Sequence, residues 1–400
     1  MKMNIWNKVR GWAKGVIPFY LVTLLPLYSC SSDSNDYTSP DKIPNTGAPT
    51  ITGVYATTDN AFSQPLTEAE PGRAVCIVGT NLNNLKSLKF NSVEADLTLT
   101  YTMSTKAVVT IPTAYSHDRN NTIEYTTDMG TATYHFVVAL PEMEVYNLSN
   151  EFAAPGQEVS ITGKNFDYYG FGEADTPASI KIGALETSLT FISPDVMRVM
   201  VPQGVQNNST VEVSWVDVNG TTQTRGLPFR PTANLLFADL SKAQCDRTDQ
   251  CVTIETDADI TSTTSYLGSP HLHFYGRIQS YAWVELAFAQ NMPDICDPAK
   301  AADYNFVFEV LTAQGHPLAG KGYEFAWNWD WDNSYQWNPN DGKGWDTDGQ
   351  WTTVRLPLAE IAPKGIGAIG EWMTLNIGFQ PSERYNADFR FGNFRIQKKK

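Results

Sequence analysis

Two stretches of this chain are copies of one another, and a tandem copy limits the fold to modules small enough to repeat. "PGRAVCIVGTNL" runs from Pro71 to Leu82, and "PGQEVSITGKNF" from Pro155 to Phe166. Pro71/Pro155, Gly72/Gly156, Val75/Val159, Ile77/Ile161, Gly79/Gly163 and Asn81/Asn165 coincide at an offset of 84. "SLKFN" at 87–91 then echoes "SIKIG" at 179–183, "VTIP" at 109–112 echoes "VMVP" at 199–202, and "NTIEY" at 121–125 echoes "STVEV" at 209–213. The offset drifts to between 88 and 92, so the second copy carries a net insertion, which "DYYGFGEADTP" at 167–177 supplies.

Each copy reads as short strands. A Pro-Gly turn leads into an alternating run such as Val159-Ser160-Ile161-Thr162. A Gly-x-Asn turn follows, where both residue types tolerate positive φ. Further strands recur about every ten residues with turn signals between them, the pattern of a β-sandwich. The order of these motifs resembles the IPT/TIG immunoglobulin-like fold. The resemblance implies two such domains, at 49–140 and 141–231. Modules of this kind serve as spacers or partner-binding units, and neither copy holds a catalytic constellation. The inserted "DYYGFG" is either a second ligand surface or a loop whose aromatics pack on a neighbouring module; packing is the expectation.

The N-terminal end reads as a targeting segment. Lys2, Lys8, Arg10 and Lys14 precede the apolar run "GVIPFYLVTLLPLYS". That run is too short to span a bilayer, which takes about 20 residues. Leu27-Tyr28-Ser29-Cys30 resembles a bacterial lipobox, which implies a signal peptide over 1–29 and lipidation at Cys30. An ordinary secretory signal cleaved nearby is the alternative. "SSDSNDY" resembles the acidic tract that marks surface export in Bacteroidetes-type lipoproteins. Residues 30–48 are rich in Ser, Asp, Asn, Pro and Gly and read as a flexible tether.

Charge and cysteine content exclude some functions. The formal net charge is −14, and the basic residues of the leader lie outside the remainder. Phosphate backbones repel so acidic a chain, which excludes nucleic acid as a partner. After Cys30 only Cys76, Cys245, Cys251 and Cys296 remain, with no CxxC pair to suggest zinc. Whether Cys245 and Cys251 form a disulfide stays open.

Composition shifts near Thr232. Eight of the eleven tryptophans fall between Trp283 and Trp372, and strand-like runs replace the repeat. "HLHFYGRI", "AWVELAFA", "YNFVFEVL", "YEFAWNWDW", "WTTVRLPL", "TLNIGFQ" and "FRFGNFRI" suit a two-sheet jelly roll over 232–400. The ending Trp351, Thr353, Val354, Leu356, Pro357, Leu358, then Asn393, Phe394, Arg395 and Ile396, resembles the closing strands of carbohydrate-binding jelly rolls. The fold expected is therefore all-β: two tandem IPT/TIG sandwiches followed by a jelly-roll sandwich.

The stretch "EFAWNWDWDNSYQWNPNDGKGW" at 324–345 is the candidate site. As one strand it would place Phe325, Trp327, Trp329 and Trp331 on one face. Phe325 and Trp327 are equally compatible with a core. Trp337 and Trp345 follow among turn residues. The arrangement expected turns Trp327 inward and sets Trp329, Trp331, Trp337 and Trp345 around an exposed platform. A tryptophan face stacks on the C–H face of a pyranose, while Asn328, Asp330 and Tyr335 offer partners for its hydroxyls. The candidate glycan-binding set is thus Trp327, Asn328, Trp329, Asp330, Trp331, Tyr335, Trp337 and Trp345. No cofactor is expected. "DWDN" and "DTDG" space oxygen ligands as a structural Ca²⁺ site does, but neither completes an EF-hand loop.

Taken whole, the chain resembles the surface glycan-binding lipoproteins of Bacteroidetes. That implies a non-catalytic protein, lipid-anchored at Cys30 on the outer membrane and exposed at the cell surface. It would capture a polysaccharide, a β-glucan first among them, alongside an outer-membrane importer and hydrolases of the same system. Two rivals stand beside it: a surface adhesin with the aromatics as a protein interface, and a glycoside hydrolase using two of the many carboxylates. His271 and His273 share a strand face without an evident third ligand and read as solvent-face or core-edge residues.

Overall fold

The computed structural model describes residues 43–114, 116, 119–240, 251–261 and 265–399. The lipobox with Cys30, the segment before it and Cys245 lie outside these residues. The architecture is all-β, with an IPT/TIG domain in the middle of the chain. The first unit opposes a sheet ordered Thr50–Ala56, Ala74–Thr80, Lys106–Thr110, Tyr101–Thr102 to one ordered Val93–Glu94, Leu85–Phe90, Thr122–Thr127, Gly130–His135. The second repeats that order with Glu144–Leu148, Glu158–Lys164, Val196–Met200, Ser188–Ile192 and with Leu185–Glu186, Ser179–Ile182, Ser209–Val216, Thr222–Phe229. The sequence copy is a structural copy.

The duplicated glycine has a packing cause. A β carbon on Gly79 would lie 1.8 Å from the Thr50 carbonyl oxygen, and one on Gly163 would lie 2.1 Å from that of Glu144. Both contacts fall where the first strand of the unit shifts register. Two residues on, Asn81 and Asn165 turn the chain at φ 56° and 62°. Each then donates its amide to a carbonyl ahead of its own first strand, Ala48 O at 3.1 Å and Glu142 O at 2.7 Å. The insertion packs in two directions. Tyr169 and Phe171 are buried in the core of their own unit, where the Tyr169 hydroxyl donates to Pro141 O at 2.8 Å, while Tyr168 lines a cavity with Glu68, Pro71 and Phe90 of the first unit.

The C-terminal unit is a two-sheet sandwich. Its described strands are β1 (Val252–Glu255), β2 (His271–Ile278), β3 (Val284–Asn291), β4 (Tyr304–Thr312), β5 (Tyr323–Trp327), β6 (Asp330–Trp337), β7 (Thr352–Pro357), β8 (Trp372–Phe379) and β9 (Tyr385–Lys398). One sheet has the order β1-β2-β9-β4-β7 and the other β3-β8-β5-β6. The core between them is strongly aromatic. Phe308, for example, meets Trp337 edge-on at 5.3 Å and Phe394 in a stack at 6.1 Å.

The five-stranded sheet turns its outer face to the second unit. There the 149–154 loop sets Glu151 among Arg355, Arg395 and Glu309. Arg395 donates to Glu151 and Glu309, both at 2.7 Å, and Arg355 donates to Glu151 and to Leu148 O. Thr353 receives the Glu151 backbone N–H and passes its hydroxyl to Glu309, both at 2.8 Å. Glu151, Glu309 and Arg395 are all buried. Burial pushes the Glu309 carboxyl up, against the pull of Arg395. Beside the charges, Phe152 packs with Ile260, Leu267, Leu311 and Trp351. Removing Arg395 leaves Glu309 buried without a cationic partner and Glu151 with Arg355 alone. Arg395→Ala should therefore cost about 3–5 kcal/mol in urea unfolding followed by tryptophan fluorescence, and Arg395→Lys less.

Candidate functional site

With one sheet docked on the second unit, the β3-β8-β5-β6 sheet forms the opposite side of the sandwich. Alternation decides what it carries. On β8, Met373, Leu375, Ile377 and Phe379 enter the core, so Trp372, Thr374, Asn376 and Gly378 point outward. On β3, Val284, Leu286 and Phe288 enter the core, which leaves Glu285, Ala287 and Ala289 outward, with Trp283 one step before the strand. On β5 the outward residues are Glu324 and Ala326. The register aligns Ala287, Asn376 and Ala326 in one row and Glu285, Gly378 and Glu324 in the next. The centre of the face is thus a floor of small side chains with carboxylates on either side.

Aromatics border that floor. Trp372 is 64% exposed, Trp331 46% and Trp329 43%. The Trp283 ring lies on Gly378, where an added β carbon would come within 2.2 Å of it. Its indole N–H donates to Glu285, and its ring meets that of Trp331 edge-on at 5.5 Å. Tyr281, in the turn before β3, is exposed as well.

The tryptophan-rich stretch is not one strand. It is a hairpin whose two-residue turn is Asn328-Trp329, with Trp327 paired to Asp330. Both turn residues have positive φ, 57° and 55°. Asparagine suits this conformation; tryptophan does not, and glycine is the usual second residue of such a turn. The Trp329 indole stands exposed at this end of the sheet.

The expected set therefore divides. Trp329 and Trp331 are exposed. Trp327 and Trp337 are core residues: Trp327 is wholly buried against Phe306, and Trp337 packs on Phe308 and Tyr323. The position of Trp337 corrects the exposed-loop expectation. The reason is that β6 continues to Trp337, whose register partner Tyr323 also faces inward. Trp345 and Tyr335 are half-buried against the same core. Asn328 is committed to the turn, exchanging its backbone N–H and side-chain oxygen with Thr374 at 3.0 and 2.9 Å. Asp330 accepts from Lys364 at 2.8 Å, which holds its carboxyl below the usual range.

Among the described residues no group of three or more His, Cys, Asp or Glu is arranged to hold a metal. Asp346 and Asp348 of "DTDG" form a turn in which Asp346 accepts from Thr312 and from the Asp348 backbone. His271 is buried edge-on against Trp351, and His273 bridges Glu255 and Asp388. Sequence reasoning missed Trp283, Glu285, Trp372 and Asn376. The signal for them lay in the alternation of Trp283-Glu285-Ala287 and of Trp372-Thr374-Asn376-Gly378 against apolar partners.

Residues 241–398 match the family model for the surface glycan-binding protein B xyloglucan binding domain, and residues 141–229 match that for the IPT/TIG domain. An IPT/TIG domain-containing protein of Bacteroides ovatus is 24% identical over 157 residues, 38% of this chain and 29% of that protein. The matched region thus spans less than a third of that relative. The surface glycan-binding protein PbSGBP-B of Prevotella bryantii shares the fold at 18% identity, with 89% of this chain and 100% of that one covered and a TM-score of 0.60. SGBP-B from a complex xyloglucan utilization locus in Bacteroides uniformis is 18% identical, with 88% and 99% covered and a TM-score of 0.43.

Burial separates the tryptophans energetically. Trp327→Ala and Trp337→Ala should each lose about 3–5 kcal/mol of stability. Trp331→Ala and Trp372→Ala should change the urea midpoint little, and Trp329→Gly should raise it by relieving the turn.

Proposed function

We propose that this chain, whose C-terminal domain belongs to the family of the surface glycan-binding protein B xyloglucan binding domain, is a non-catalytic binder of a β-glucan at the cell surface. The observation that carries the reading is the outward face of β3-β8-β5-β6, where Trp283, Trp329, Trp331 and Trp372 surround a floor of small and polar side chains. Indole rings recognise the C–H faces of β-linked glucosyl units, and Glu285, Glu324 and Asn376 meet hydroxyl groups. A handful of stacks at about 0.5–1.5 kcal/mol each, with a few hydrogen bonds, gives about 4–7 kcal/mol. That corresponds to dissociation constants from about 1 mM to about 10 μM. Weak sites of this strength suit a polymer, which many copies retain together.

The rest of the chain fits a display role. The two IPT/TIG-like units stand between the N-terminal tether and the binding domain as a spacer. Lipidation at Cys30 anchors the protein in the outer membrane, beside an importer and hydrolases that act on the same glycan. The platform is narrower than the tryptophan-rich stretch: it takes Trp329 and Trp331 from that stretch and adds Trp283 and Trp372.

Affinity gel electrophoresis of the full chain against xyloglucan, mixed-linkage glucan, mannan and xylan tests the reading. Retardation by a β-glucan is expected, and no retardation by any of the four sinks it. Trp372→Ala should weaken binding about three- to tenfold at unchanged fold. For the anchor, Cys30→Ala should move the protein from the membrane fraction to the soluble fraction of cells expressing it; retention in the membrane would exclude Cys30 as the attachment point.

A further inference from the structure

One residue on the glycan-facing sheet is in a state that binding by rigid surface tryptophans does not explain. Asn376 is fully buried, yet neither its side-chain carbonyl nor its amide nitrogen has a hydrogen-bond partner. The Thr374 hydroxyl, on the same face of β8, is buried and unpartnered too. A buried polar group without a partner is costly, and an amide orphaned at both ends is rare in folded proteins.

The strands beside Asn376 carry little side chain that could hide it. Its register neighbours are Ala287 on β3 and Ala326 on β5, both too small to cover an amide. The next outward position on β8 is Gly378, and there lies the Trp283 ring. Trp283 in turn meets Trp331 edge-on. Trp331 stands next to the two-residue turn of the β5-β6 hairpin, is about half exposed and takes no part in the hydrophobic core.

We propose that the Trp283–Trp331 pair is a movable roof over a sugar subsite and that Asn376 is the polar anchor of that subsite. The proposal rests on the glycan-binding reading and adds to it a specificity-determining residue and a closed unliganded state. When Trp331 swings aside, the trough of Ala287, Ala326 and Gly378 admits the edge of one pyranose. The Asn376 amide presents a donor and an acceptor side by side, the complement of two adjacent hydroxyls, each of which donates and accepts. Glu285 and Glu324 flank Gly378 in the same register row. Two carboxylates there reject an acidic sugar, so the unit accepted is a neutral pyranose with free neighbouring hydroxyls.

An orphan retained for a ligand has a signature that a structural asparagine lacks. Asn376→Leu removes the unpaired groups while keeping the number and branching of the side-chain heavy atoms. It should raise the thermal midpoint while weakening binding of a soluble β-glucan oligosaccharide about tenfold by calorimetry. In the wild-type full chain, the Asn376 side-chain amide resonances, assigned by their loss in Asn376→Leu, should shift when the oligosaccharide is added. A glucuronan should not move them. Stopped-flow fluorescence should give a rate that saturates with ligand concentration in the wild type, as an opening step requires, and one that stays linear in Trp331→Ala.

A destabilised Asn376→Leu that binds at full strength overturns the proposal, as does an Asn376 amide that ignores the sugar. Trp372→Ala separates this failure from failure of the function. If the rim variant weakens binding and Asn376→Leu does not, only the roof and anchor fall. If the wild type binds no glucan, both readings fall together.

Discussion

The arrangement of this protein depends on a buried meeting of charges between its second and third units. Glu151 enters from one unit, and Arg355, Arg395 and Glu309 wait on the other. A group like this adds little net stability, because removing four charges from water offsets most of their attraction. Its effect is on orientation. Each partner satisfies another only when the 149–154 loop sits in one place, and that placement covers the outer face of one sheet. The opposite sheet is thereby the one left facing outward, and on it lie the exposed tryptophans.

Within the C-terminal unit, one rule of strand geometry sorts a crowd of aromatics into two populations. Residues two apart share a face, so β8 delivers four large apolar side chains to the core and Trp372, Thr374, Asn376 and Gly378 to the exterior. Trp327 and Trp337 help fill a core already rich in phenylalanine. Trp329 stands exposed in a backbone conformation that its side chain disfavours. The same residue type thus supports the fold at one position and costs it stability two positions later.

Much of this was readable from the sequence. The duplication announced itself through Gly79/Gly163 and Asn81/Asn165, because a close backbone approach and a left-handed turn admit few residues. The all-β class and the closing strands were also evident. The hairpin was not, since Asn-Trp is an unusual turn pair and the run from Phe325 to Trp331 alternates as a single strand would. Hence the burial of Trp337 was missed. Trp283 and Trp372 went unassigned because they lie far from the tryptophan-rich stretch and join it only across the sheet. The joint was invisible for a related reason: Glu151 and Arg395 are 244 positions apart, and nothing local marks either as buried.

The placement of that joint has a mechanical consequence. In the proposed role, a long polymer held on the outward sheet would pull on the C-terminal unit from the side opposite this joint. The load then crosses the docking loop at 149–154 as well as the covalent chain, so the two units resist it as one lever. Charge pairs between rigid elements are strong against sliding and weak against peeling. The direction of the pull would therefore decide whether the ligand lets go first or the protein bends first.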